Sequence, residues 1–198
     1  MGSDPVLEAH FQFWASNYYK FGAVLGYKSN EIGVHLYRDE YSKKSNRWVP
    51  MAKWIFLSKE TFECLGEKRD EINREIALAT KTMVEEKENM PEHFKTYYSM
   101  VLSETEKEQV RVELVARANM SPMVGIARFQ KKEGNTNWWP TYASLFMSMH
   151  LWDTFFERIP AILTNLQLKY EMDKGEHLGL NAISIFLYTY YYYIHCTK

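Results

Sequence analysis

Lys43, Lys44, Arg47, Trp48 and Lys53 fall within eleven residues of one another. Cations around an indole can hold an unpaired polynucleotide: ammonium and guanidinium groups follow the phosphates, and a flat ring receives a splayed base, worth about 1–3 kcal/mol per stack. Lys20 and Lys28 join this group if the strand that precedes it lies alongside. Arg128, Lys131, Lys132, Trp138 and Trp139 form a second, sparser group of the same kind. The same residues also read as solvated hairpin tips with tryptophans as packing anchors, and residue chemistry alone leaves both readings open.

Other chemistries find less support. The histidines at positions 10, 35, 93, 150, 177 and 195 show no metal-ligand spacing, and no Gly-rich phosphate loop, nucleophile elbow or His-Glu-x-x-His occurs. His35 reads as an ordinary strand residue. Cys64 lies near an apolar helix stripe and reads as packing rather than as a nucleophile. The expectation is a protein that is not an enzyme, with no metal and no cofactor. Its 24 basic and 25 acidic residues nearly cancel, so an anion site has to be local. Two cysteines, Cys64 and Cys196, suit a reducing compartment better than a disulfide framework. The opening MGSDPVLEAHFQFW lacks the basic start and apolar run of a secretory signal, and nothing reaches the roughly 18 apolar residues of a membrane span.

The elements that carry the two groups form a faint internal duplication, Ile32–Ile76 against Val124–Leu166. Trp48 aligns with Trp138, Pro50 with Pro140, Ser58 with Ser148, Phe62 with Trp152 and Ile72 with Ile162. Before the loops Gly33 aligns with Gly125 and Tyr37 with Phe129, so the second hairpin is expected to be two residues shorter, at a tip that tolerates it. Val110, Val112, Leu114 and Ala116 alternate with Arg111, Glu113, Val115 and Arg117, and Tyr19, Phe21, Ala23 and Leu25 suggest the corresponding strand of the first copy. Ser58 and Ser148 stand where a helix amino-cap belongs, a contribution of about 1 kcal/mol. Phe62, Leu65, Ile72 and Ile76 then form one apolar stripe, and Trp152, Phe155, Ile159, Ile162 and Leu166 another, with Pro160 expected to kink the second helix. The stretch TKTMVEEKENMPEHFKTYYSM reads as a charged helical extension ended near Pro91 and then a connector. The strand-prone run LNAISIFLYTYYYYIHCTK reads as a terminal arm that packs on the body or on a neighbouring protomer.

At these residues the first copy resembles the carboxy-terminal domain of the positive cofactor four family of eukaryotic transcriptional coactivators. The likeness runs from Gly33 to about Ile76 and includes Trp48-x-Pro50, Lys53, Ile55-x-Leu57-Ser58, Phe62 and Leu65 in order and spacing. The second copy keeps Trp138, Pro140, Leu145, Ser148 and Trp152, and its Arg158-Ile159-Pro160 is similar to that family's proline-containing helix. The resemblance implies a four-stranded curved antiparallel sheet followed by a kinked helix, a fold shared with Whirly proteins and some phage single-strand binders. It also implies pairing through the helices, with single-stranded DNA lying across strands and hairpins. Trp48 and Lys53 occupy matching positions; Lys43, Lys44 and Arg47 support them, and Arg38 lies near the family's basic strand residue. Ala143 stands where the first copy has Lys53, which puts equal use of the two halves in question.

The expected fold is therefore α+β: two tandem repeats of a curved antiparallel sheet plus helix, closed into an intramolecular pseudo-dimer. The divisions are 11–90 for the first repeat, 91–106 for a connector, 107–172 for the second and 173–198 for the aromatic arm. The expected function is single-stranded DNA binding in transcription, replication or recombination, with RNA as a further ligand class and a nuclear or host-nuclear location, the divergence suiting a viral origin. Its expected interface comprises Lys20, Lys28, Arg38, Lys43, Lys44, Arg47, Trp48, Lys53, Arg128, Lys131, Lys132 and Trp138. A homo-oligomer through the helices or the arm is the expected protein contact. The rival is a structural or assembly protein that reuses the fold for protein contacts without nucleic acid.

Overall fold

Two four-stranded antiparallel meanders and three helices make up the described residues, 7–86, 90–132, 134 and 136–174, of a computed structural model. The first sheet runs in the order β1 (His10–Ala15), β2 (Tyr19–Lys28), β3 (Glu31–Ser42), β4 (Arg47–Ser58), followed by α1 (Lys59–Glu67) and α2 (Arg69–Glu85). The second runs β5 (Lys95–Glu104), β6 (Glu108–Ala116), β7 (Met123–Lys131), β8 (Trp138–Ser148), followed by α3 (Met149–Asp173). The fold is thus α+β, as the alternating and helical periods predict. The aromatic run that follows α3, with His177, His195 and Cys196, lies outside the described residues.

Local chemistry fixes most of these elements. The β1–β2 turn is held by Ser16 Oγ, which accepts from the amides of Tyr18 and Tyr19 at 3.1 Å each; Thr105 Oγ1 does the same for Lys107 and Glu108 at 3.4 and 3.0 Å in the β5–β6 turn. Ser29 and Asn30 both take positive φ, 51° and 67°, the twist that a two-residue hairpin turn between β2 and β3 demands. Ser58 and Ser148 cap α1 and α3, accepting from Thr61 N at 3.3 Å and Leu151 N at 3.4 Å. Both predicted helix stripes are buried: Phe62, Leu65, Ile72 and Ile76 on one side, Trp152, Phe155, Ile159, Ile162 and Leu166 on the other.

The stripes meet in one continuous core with the inner faces of both sheets. The helices do not stay with their own sheets. Phe155 of α3 packs on Phe13 of β1, with ring centroids 5.4 Å apart, and α1 and α2 pack against β5. α1 also lies against α3 so closely that a Cβ at Gly66 would stand 2.5 Å from Leu163 Cδ1. No described helix is long and apolar enough to cross a membrane.

Three expectations need correction. The stretch 91–106 is not only a connector, because it contains β5; register shifts at Thr96/Tyr98 and Val101/Ser103 break the period-two pattern that would have announced the strand. β1 is likewise an edge strand with a shift between Gln12 and Trp14, and it too lacks a clean alternation. A single helix after the first sheet is replaced by two, broken at Lys68, whose amide bonds back to Cys64 O at 3.0 Å. Finally, the second hairpin is not two residues shorter. Gly33 lies opposite Ser58 and Met123 opposite Ser148, while Tyr41 lies opposite Trp48 and Lys131 opposite Trp138, so both hairpins have the same span. A two-residue slip leaves every side chain on the same face, and for that reason the hydrophobic pattern alone permitted the wrong alignment. Pro160 sits inside α3, which continues on both sides of it.

Candidate nucleic-acid interface

Alternation along β2 and β3 gives each sheet an inner face that feeds the core and an outer face that does not. On the first sheet the outer face is aromatic. His35 packs against Phe56 and Trp54, centroids 4.8 and 5.7 Å apart. Tyr37 stacks on His10 at 5.7 Å and its hydroxyl meets His10 Nε2 at 2.6 Å. Nearer the β3–β4 tip, Tyr41 stands edge-on to Trp48, and Lys20 Nζ lies 4.2 Å over the Trp48 ring. Trp54, overlooked by the sequence reading, is 41% exposed on this face; its parity with Phe56, against Ile55 and Leu57, was the available signal.

A bulge splits the predicted first-half group. Lys53 pairs with Arg38, and Trp48 pairs with Tyr41; Arg38 and Tyr41 are three apart on β3, so their side chains leave opposite faces. The extra β4 residues are absorbed at Met51, φ 49°, whose amide donates to Asp39 Oδ1 at 2.6 Å. Lys53 and Arg38 therefore sit on the inner face beyond the end of the core, where Arg38 lies 5.3 Å over Tyr19 and pairs with Glu40. Lys20 and Trp48 occupy the outer face. Lys43, Lys44 and Arg47 are exposed at the tip between the faces, with Lys43 Nζ 4.9 Å over Tyr18. Lys28 is not part of this group: eight residues along β2 from Lys20, it lies ~26 Å away, beside Phe56 at 5.9 Å.

The second half repeats some of this. Trp138 again carries a lysine on its ring, here Lys131 Nζ at 4.5 Å, supplied by β7 where the first sheet uses β2. Lys132 lies 5.4 Å over Trp139. Arg128, by contrast, is engaged within the protein. Its Nη1 is 2.6 Å from Glu108 Oε2, and its Nη2 donates to Phe56 O at 2.9 Å, tying the second sheet to the first. Tyr142, in the β8 bulge, is 96% exposed and was not legible, because a bulged residue has no partner to give it a face.

The charges on these faces are uneven. Lys20, Lys28, Lys43, Lys44, Arg47, Lys53, Lys131 and Lys132 form no ion pair among the described residues. Burial pushes His10 and His35 below the usual histidine range, opposed at His10 by Asp39 and Glu8 and reinforced there by Lys20. Glu108 is held below the usual carboxylate range, first by the Gln130 amide and then by Arg128. On the second sheet's outer face Glu113 is pushed up by burial, against the pull of Arg111 and Ser99. Cys64 is partly buried against the core, and no group of three metal-ligating side chains exists among the described residues.

No protein-family model matches the chain, and no curated protein matches it either.

Proposed function

We propose that the chain is a non-enzymatic single-stranded DNA-binding protein whose two halves are divergent copies of one sheet-plus-helix unit, folded as an intramolecular pseudo-dimer. The pseudo-dimer reading is supported by the equal hairpin spans, the paired Ser16 and Thr105 turns, the paired Ser58 and Ser148 caps, and helices that pack on each other's sheets. It also agrees with the resemblance to the positive cofactor four family.

One observation carries the binding reading. Trp48 and Trp138 occupy the same register position beside the two hairpin tips, each with a lysine over its ring, at 4.2 and 4.5 Å, and with further unpaired lysines nearby. A base stacking on that face of either indole displaces the lysine from the ring and frees its ammonium for the adjoining phosphate, the pairing of ring and cation that single-strand binders use. The near-neutral whole chain makes this a local, salt-sensitive attraction. RNA, a nuclear or host-nuclear site of action and a role in transcription, replication or recombination belong to the same proposal.

The test is an anisotropy titration of labelled single-stranded and duplex oligonucleotides at low salt. Preference for the single strand is expected. Absence of binding to either rejects the reading and selects an assembly role for the fold.

A further inference from the structure

We propose that the outer face of the second sheet holds a nucleotide subsite centred on Arg111, a residue outside both basic hairpin groups. The inference rests on the reading of the chain as a single-strand binder and assigns to the second half a contact that the first half lacks.

The argument comes from one row of each sheet, four residues back from the capping serine. In the first sheet that row is Gly22, Tyr37 and Trp54; in the second it is Arg111, Ala127 and Ser144. Tyr37 lies flat across Gly22, so that a Cβ there would stand 2.4 Å from its hydroxyl, and the ring is buried. The first sheet thus closes this row with its own aromatic side chain. In the second sheet the ring is replaced by a methyl group and the glycine by a guanidinium.

Beside this row, on the side of the hairpin tip, lies a shallow recess open to solvent and lined by Arg111, Thr136, Asn137, Trp138 and Trp139. Arg111 is pre-positioned rather than loose: its guanidinium lies 4.2 Å over Phe129, and its Nε donates to Gln109 Oε1 at 2.7 Å, joined there by Nη2. A guanidinium carries five N–H donors in one plane, so the edge not turned to Gln109 keeps donors for a phosphate. No carboxylate forms an ion pair with it among the described residues. Glu113, two residues along the same face, is buried. The Trp138 indole beside Arg111 is the surface for the base, and Thr136 and Asn137 bring a hydroxyl and an amide to the rim. The ligand class is one nucleotide unit of a single strand, its phosphate on Arg111 and its base on Trp138.

The experiment uses the full chain and a labelled oligothymidylate in an anisotropy titration, with thermal melts as the folding control. Arg111→Gln is expected to weaken binding about tenfold or more, the loss appropriate to a charge-assisted hydrogen bond. The pair Arg111→Gly with Ala127→Tyr, which installs the first sheet's glycine and tyrosine in place of the guanidinium, is expected to weaken it at least as much. If Arg111→Gln does not fold, Arg111→Lys takes its place; it keeps the charge but loses the planar fork, and a loss of several-fold is expected. Wild-type affinity in the folded variants, alongside weakened binding by Lys43→Gln with Lys44→Gln, overturns the subsite while leaving the single-strand reading intact. A wild-type chain that binds no single strand overturns both.

Discussion

Removing the two tip lysines, Lys43→Gln with Lys44→Gln, tests the interface through its salt dependence. Both side chains are exposed and neither forms an ion pair among the described residues. The contact given up inside the protein is the Lys43 ammonium 4.9 Å over Tyr18, worth about 0.5–1 kcal/mol at an exposed site, so the fold survives. For a single strand each neutralised phosphate contributes about 0.7 to the slope of log K against log salt. Losing two contacts should therefore flatten the slope by about 1.4. Between 50 and 200 mM salt the advantage of the wild type over the variant should shrink about sevenfold, which anisotropy titrations at four or five salt concentrations resolve. Lys28→Gln is the matched control. It removes one lysine charge at the far end of β2, ~26 Å from Lys20, and should leave the slope unchanged, where one lost tip contact would flatten it by about 0.7. Equal slopes for wild type and the tip variant, or equal flattening by the control, would refute the assignment of the tip as the phosphate-tracking surface.

Three further outcomes follow from particular contacts. Trp48→Ala should weaken single-strand binding by about 1–3 kcal/mol, read by titration, with little change in the melting temperature because the ring is only half-buried. Trp152→Ala should destabilise by about 3–5 kcal/mol and lower the melting temperature by roughly 6–20 °C in calorimetry, since Trp152 is fully buried where the α3 stripe enters the shared core. Glu113→Gln should raise the melting temperature at pH 7 and lose that advantage on acidification. The Glu113 carboxyl is held above its ordinary value by burial, so the folded state binds the extra proton. Stability from it is therefore present below the unfolded pKa and is lost as pH rises through the folded one. An unchanged difference between wild type and Glu113→Gln from pH 4 to 8 would count against a buried, protonation-sensitive Glu113.

Much of the scaffold was legible because it is written in local patterns. The Ser58 and Ser148 caps, the two apolar helix stripes and the inner faces of β2, β3, β6 and β7 follow from hydrogen-bond arithmetic at helix starts and from periods of two and 3.6. β1 and β5 escaped because register shifts interrupt their alternation. The candidate site was legible as composition but not as geometry. Lys20, Trp48 and the tip lysines come together, Lys28 lies at the other end of the sheet, and Arg128 is spent on Glu108 and Phe56 O.

By itself the sequence determined which faces are apolar, where helices begin and that two cation-and-indole groups exist, because each depends on neighbours within a few residues. Only the tertiary structure decided that Lys53 and Trp48 part company across the Met51 bulge. It alone brought Arg111 beside Trp138 and packed α3 on β1 to close one core. Those outcomes depend on strand register and on contacts between residues far apart in the chain. A two-residue slip or a bulge changes such contacts without altering the hydrophobic pattern that a sequence displays.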